Sequence, residues 1–236
     1  MPYITVMKAY FFDLDGTLTD SRAGLYPAFR AGLKAIGIGS VGDEQLKNFL
    51  GTPLPELFRA MRPDVGQREI DAGMTAFRSV FEQVGITANK IYPGVIEMLD
   101  AVGRRRAKVW IVTSKPEAQA IRVVSYLGLD RYVAGVVGAS LAETDTKTDL
   151  VARALSLARV AAQDAVMIGD RHYDIVGAIN NQVLPVGVLW GYGSKDEMEA
   201  AGCRIFAASP DEFRSTFVES GANHPAQLPL AAIVAR

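Results

Sequence analysis

Ala9-Tyr10-Phe11-Phe12-Asp13-Leu14-Asp15-Gly16-Thr17 is the stretch on which the reading of this chain turns. Its first four residues form a short apolar run rich in aromatics, the pattern of a buried strand near the start of a domain. Side chains alternate along an extended segment, so Asp13 and Asp15 point the same way where the strand ends. Gly16 then lets the backbone turn where a larger residue would be strained. Two like charges held that close repel each other unless something positive sits beside them. A hard, oxygen-preferring cation such as Mg²⁺ meets that need. The competing reading is a plain strand-to-loop exit, because Asp and Gly are common turn residues.

Three later segments bear on that choice. Lys108-Val109-Trp110-Ile111-Val112 is a second apolar run, followed by Thr113-Ser114-Lys115-Pro116. Pro at the first position of a helix costs no hydrogen bond, so the spacing predicts a helix opening at Pro116. A hydroxyl and free backbone N–H groups at such a junction make an anion site. Lys147 opens the amphipathic stretch 148–158, which puts an ammonium at the beginning of another helix. Ala165-Val166-Met167-Ile168 leads into Gly169-Asp170-Arg171-His172-Tyr173-Asp174, with two more carboxylates four residues apart. These share one face if the second falls in a helix's first turn. Acids, a hydroxyl and a lysine thus all issue from loops on one rim of a parallel sheet, the rim where open α/β sheets bind ligands.

Strand-like runs end near Phe12, Val112, Val137, Ile168 and Val188, with a weaker one around 204–207. Helical patterns fall after Pro116, at Lys147 and at Asp174, an alternation that argues for a parallel sheet covered by helices. The long first interval breaks this rhythm. Its apolar residues recur at helical spacing, as in Leu54, Leu57, Phe58 and Met61, or Ile70, Met74, Phe77, Phe81 and Val84. The expected fold is a Rossmann-like, doubly wound α/β core formed by residues 1–20 and 89–236, with an inserted all-helical cap at 21–88. Segments 19–22 and 87–93 are the expected hinges, with Asp20 and Ser21 capping the first cap helix. The tail from Gly221 onward takes no assignment.

Composition narrows the function classes. Hydrophobic residues make up 49% and charged residues 22% of the 236, which excludes global disorder. A formal net charge of −1 offers no broad basic surface for a nucleic-acid polymer. Arg104-Arg105-Arg106, the only basic run, reads as a solvated turn. One cysteine, Cys203, allows no internal disulfide and suits a reducing compartment. Neither a signal segment nor a membrane-spanning stretch is visible, so the expected location is the cytoplasm, with no membrane partner.

The chain resembles the haloacid dehalogenase-like hydrolases, whose four motifs match in order: Asp13-Leu14-Asp15-Gly16-Thr17, Thr113-Ser114, Lys147, and Gly169-Asp170 with Asp174. Tyr92-Pro93-Gly94-Val95, Thr113-Ser114-Lys115-Pro116 and Gly187-Val188-Leu189-Trp190-Gly191-Tyr192-Gly193-Ser194 are similar to the phosphoglycolate phosphatase-like branch, most of all to bacterial 5′-nucleotidases. The resemblance implies a Mg²⁺-dependent phosphomonoesterase acting through an aspartyl-phosphate. Asp13 is then the nucleophile, Asp15 the general acid and base, and Lys147 a catalytic cation. Gly16, Thr17, Thr113, Ser114, Lys115 and Gly51 are implied to touch the substrate. Mg²⁺ is implied at Asp13, the backbone carbonyl of Asp15, Asp170 and Asp174.

From the residues alone, Asp174 reads equally as a metal ligand or a helix cap, and His172 reads as an exposed or supporting side chain. Gly51 and Thr52 read as a substrate-facing loop or a plain turn, and Trp190 and Tyr192 as site walls or packing residues. The favoured substrate is a nucleoside 5′-monophosphate, walled by some of Tyr26, Phe29, Phe49 and Phe58. The runner-up is phosphoglycolate, whose distal carboxylate would need Arg22, Lys47, Arg59 or Arg62. Further alternatives are a sugar-phosphate mutase, which uses the same aspartates, and a non-catalytic phosphate-sensing module. The expected assembly is a monomer or homodimer.

Overall fold

The computed structural model describes residues 7–219. The chain enters through β1 (Ala9–Phe12), whose four residues are all buried. It leaves the core through β2 (Thr19–Asp20), passes through helices α1 (Arg22–Ala35), α2 (Asp43–Lys47), α3 (Leu54–Met61) and α4 (Gln67–Val80), and returns through β3 (Lys90–Ile91). The core then continues as α5 (Val95–Arg104), β4 (Lys108–Pro116), α6 (Glu117–Tyr126), β5 (Gly135–Ala139), α7 (Lys147–Ala158), β6 (Ala165–Gly169), α8 (His172–Asn180), β7 (Leu184–Val188), α9 (Lys195–Ala200), β8 (Phe206–Ala207) and α10 (Pro210–Phe213).

Six strands form one sheet in the order β5-β4-β1-β6-β7-β8, with every adjacent pair parallel. Strand order runs outward from β1 in both directions, as the doubly wound reading requires, and β1 is the point where it reverses. Alternation along β1 divides the core. Tyr10 and Phe12 pack with Val109, Ile111, Val166 and Ile168 beneath α5 and α10. Ala9 and Phe11 pack with Val112, Met167 and the buried faces of α7 and α8. A strand buried on both sides needs apolar residues at every position, which explains the unbroken run Ala-Tyr-Phe-Phe.

Between β2 and β3 the chain is helical throughout its regular elements. Phe29, Phe77 and Phe81 stack in series, with centroids 5.5 and 5.8 Å apart, joining α1 to α4 and to a wide π-type turn over Phe81–Gly85. Gly24 on α1 meets this turn so closely that an added Cβ would lie 2.7 Å from the Cα of Gly85. The insert's entry and exit strands pair antiparallel, Thr19 opposite Ile91 and Asp20 opposite Lys90, so both crossings form a single two-stranded ribbon.

Two local expectations are corrected. β4 does not stop at Val112 but runs to Pro116, with a register shift against β5 between Thr113 and Pro116, while α6 opens at Glu117, directly after Pro116 as expected. The irregularity frees Thr113-Ser114-Lys115 to line the rim while the strand continues. At α1, the Ser21 hydroxyl does not cap the helix. It bonds the Tyr192 phenol at 3.0 Å, and Asp20 Oδ1 accepts the Arg22 N–H at 3.1 Å instead. Arg104 and Arg105 fold onto Glu219, at its carboxylate and its carbonyl. No helix among the described residues is long and apolar enough to cross a membrane.

Candidate active site

At the carboxyl end of the sheet, the last residues of β4 and the segments that follow β1, β5 and β6 meet at one cleft of about 640 Å³ including its open mouth. Asp13, Asp15, Thr113, Ser114, Lys115, Lys147 and Asp174 line it from the core, and Gly51 lines it from the insert. Thr146 caps α7 through its hydroxyl and fixes the helix start, which points Lys147 inward. The Lys147 ammonium lies 2.7 Å from Asp13 Oδ1 and 2.8 Å from Asp174 Oδ1, and it donates to the Val112 carbonyl at 3.0 Å. Burial disfavours its charge, but attraction to Asp13 and Asp174 outweighs this and holds Lys147 above the usual lysine range.

The carboxylates outnumber that cation. Asp13, Asp170 and Asp174 are buried, and each offers an oxygen within 4.8 Å of the others. Burial pushes Asp170 up to about 8, with repulsion from Asp13 and Asp174 adding to it. Asp13 rises to about 6, because burial outweighs the pull of Lys147 and Asp174 pushes it further. Three clustered oxygen donors with an excess of negative charge fit a small hard divalent cation.

Asp15 is held differently. Its Oδ2 lies 2.7 Å from Lys115 Nζ, whereas its Oδ1 is buried without a hydrogen-bond partner. The Asp15 carboxylate is therefore outside the three-acid cluster. Lys115 also sits 4.5 Å from the centroid of Phe81, so an insert residue covers the ammonium that grips Asp15. Thr113 Oγ1 accepts the Lys115 N–H at 3.2 Å, which leaves its own proton for another acceptor.

Gly16 and Thr17, expected to touch substrate, do not line the cleft and sit against Asp170. The Thr17 hydroxyl donates to Asp170 Oδ1 at 3.0 Å, and Thr17 is fully buried. Gly16 has φ +92°, and a Cβ there would lie 2.3 Å from Asp170 Oδ2. Both residues shape the seat of Asp170, whose other oxygen accepts the Tyr192 N–H at 2.8 Å. Gly51 has φ +81° and lines the cleft, so turn and wall are the same residue. Asp174 caps α8 by accepting the Arg171 N–H at 3.1 Å with Oδ2 while Oδ1 faces Lys147.

His172 pairs with Glu197 at 2.6 Å and does not line the cleft. Trp190 and Tyr192 are packing residues, bonded to the Thr17 carbonyl and to Ser21. Of the four aromatics expected to wall the site only Phe29 does so, joined by Leu25 and Phe77, and Phe58 is buried inside the insert. None of Arg22, Lys47, Arg59 and Arg62 lines the cleft; Arg22 pairs with Asp20 at 2.6 Å and Arg62 with Glu69 at 2.6 Å.

The sequence reading passed over Gln119, Glu143, Arg171 and Tyr173, all on the cleft wall. Glu143 follows the end of β5, a position on the same rim that strand order alone could have flagged. Burial raises its carboxyl, partly opposed by the Leu54 N–H, Arg78 and Lys115.

Comparison with known proteins agrees with this geometry. The family described as haloacid dehalogenase-like hydrolase matches residues 10–188. A 5′-nucleotidase of Pseudomonas aeruginosa is 34% identical over 190 residues, covering 80% of this chain and 86% of that protein. Tyrosine-protein kinase PtkA of Mycobacterium tuberculosis is 32% identical over 206 residues, covering 86% and 70%. A phosphoglycolate phosphatase of Agrobacterium fabrum is 28% identical over 186 residues, covering 77% and 80%. Among solved structures, a predicted phosphatase from Clostridium acetobutylicum superposes with a TM-score of 0.85 at 30% identity, covering 89% of this chain and 97% of that one. With the motif residues gathered on one rim and the family match spanning most of the sheet, the chain belongs to the haloacid dehalogenase-like hydrolases and is a phosphatase among them.

Proposed function

We propose that this phosphatase hydrolyses nucleoside 5′-monophosphates with Mg²⁺, using Asp13 as nucleophile and Asp15 as general acid and base. The observation that carries the chemical roles is the contrast between the two acids. Asp13 is gripped by Lys147, whereas Asp15 keeps one buried oxygen without a partner in the same cleft. That oxygen is available to carry a proton, and Lys115 on the opposite oxygen orients the carboxyl.

An Asp13 oxygen attacks phosphorus in line as the bond from phosphorus to the nucleoside oxygen breaks, and Asp15 gives its proton to that oxygen. Asp15 then takes a proton from water, whose oxygen attacks phosphorus and releases inorganic phosphate with a free Asp13 carboxylate. Thr113, Ser114 and Lys147 hold the phosphoryl oxygens. Mg²⁺ at Asp13, Asp170 and Asp174, with the Asp15 backbone carbonyl, would neutralise charge on the transferred group. The helical insert acts as a cap that excludes water during attack.

The distal wall supports the substrate class. Leu25, Phe29, Phe77, Pro53 and Leu54 are apolar; the cations on the wall, Arg171 and Lys115, are already paired with Glu197 and Asp15, and Glu143 is an acid. Such a surface receives a nucleoside and repels a second carboxylate, which disfavours phosphoglycolate. The test compares kcat/KM for uridine 5′-monophosphate and phosphoglycolate. A preference for phosphoglycolate by more than about tenfold, some 1.4 kcal/mol of transition-state binding, reverses the assignment. Asp13→Asn at saturating Mg²⁺ should abolish turnover, and substantial remaining activity would remove Asp13 from its role.

A further inference from the structure

Two polar side chains on the cleft wall have no task in holding phosphorus. Gln119, in the first turn of α6, is 6% exposed, lines the cleft and makes no hydrogen bond to any described residue. The Gln119 amide is not among the buried polar atoms left without a partner, so it opens onto the cleft, where a ligand edge that both donates and accepts can replace its water. Glu143 lines the same cleft with its side chain 7% exposed. Its Oε2 accepts the Leu54 N–H at 3.0 Å, and its Oε1 stands 3.7 Å from Arg78, beyond hydrogen-bond length. Its backbone lies at φ +53°, a conformation costly for a residue with a side chain. Among the described residues, lone pairs therefore remain on Glu143 and a full donor–acceptor pair remains on Gln119.

We propose that Gln119 and Glu143 read the leaving group: the Gln119 amide donates to and accepts from one edge of a nucleobase, and Glu143 accepts a further N–H or O–H. The inference rests on the nucleoside monophosphate reading above and assigns its selectivity to named atoms. A nucleobase edge sets a donor beside an acceptor, which matches a carboxamide. A glycolate carboxylate only accepts, so it leaves the Gln119 oxygen unpaired and faces the Glu143 charge.

The experiment measures kcat/KM for uridine 5′-monophosphate and for ribose 5-phosphate, which lacks the base, in the wild type and in Gln119→Met. Methionine has nearly the same volume and flexibility but no hydrogen-bonding edge. The ratio of the two values should fall roughly tenfold or more in the variant. If Gln119→Met proves unstable, Gln119→Glu keeps the shape, loses the donor and is read by the same ratio. Inhibition of ribose 5-phosphate hydrolysis by free uridine should weaken in parallel. A folded variant that keeps the wild-type ratio overturns the role of Gln119. A wild-type enzyme that does not prefer uridine 5′-monophosphate over ribose 5-phosphate overturns the nucleotide reading itself, and this inference with it.

Discussion

Replacing Lys147 by Met tests whether the site is balanced by one buried ammonium. Lys147 is 4% exposed and touches Asp13 and Asp174 at 2.7 and 2.8 Å, with Asp13 side-chain exposure 9% and Asp174 2%. Removing one partner of a buried ion pair typically costs about 3–5 kcal/mol, because the charge left behind is uncompensated. Here two carboxylates are left, so the upper half of that range is expected. For a domain of this size each kcal/mol shifts Tm by roughly 2–4 °C, which predicts a fall of about 10 °C or more without metal.

The assay is a thermal melt in chelator, repeated with Mg²⁺. With Lys147 gone, Asp13, already raised by burial, loses the cation that lowers it and holds its proton still more tightly in the folded state than in the unfolded one. The deficit should then shrink toward pH 4 and widen as pH rises. Mg²⁺ should raise Tm more in the variant than in the wild type, because the cation then supplies the only compensation. A folded variant melting within about 2 °C of wild type in chelator at pH 8 would refute the argument, since it would mean that the three acids do not need the ammonium.

In the wild type without metal, Asp170 is raised to about 8 and Asp13 to about 6, so the folded state binds more protons than the unfolded state across that interval. Stability is therefore fullest below the unfolded carboxylate range and is lost as pH rises toward 8. The Tm gain from Mg²⁺ should accordingly be larger at pH 8 than at pH 5.5, and equal gains would contradict the burial of these acids. Gly16→Ala puts a methyl 2.3 Å from Asp170 Oδ2 at a backbone φ of +92°. We expect a loss of about 2–4 kcal/mol in denaturant melts, from conformational strain and a displaced carboxylate, together with weakened Mg²⁺ binding by calorimetry. Native Mg²⁺ affinity in that variant would show that Asp170 is not seated by this turn.

Much of the rim was legible because the motif residues lie at or just beyond strand ends, and short apolar runs locate those ends to within a few residues. Asp13, Lys147 and Asp174 come together because parallel strands place their carboxyl termini on one edge, a rule that needs no contact information. Pairings were not legible. The Lys115 ammonium grips Asp15, and Thr17 supports Asp170 across a gap of 153 residues, which no local pattern encodes. The aromatic wall was legible only in part, for a related reason. Helical spacing tells that Phe29 and Phe58 each have a buried side, but whether that side faces the insert's interior or the cleft depends on how the insert is seated. Gln119 was missed because a lone amide on an amphipathic helix carries no signal until its surroundings are known.

The place of β1 at the centre of the sheet also governs how the chain is made. Ala9 has for neighbours Lys108 on one side and Ala165 on the other, so β1 waits longer than any other strand of this sheet between its synthesis and its enclosure. At ribosomal rates of roughly 5–20 residues per second, this aromatic segment waits on the order of ten seconds for its first partner strand. The helices of the insert, built from contacts closer in sequence, emerge during that wait and can form ahead of the sheet. Nascent β1 is thus the strand of this sheet most in need of shielding on the ribosome.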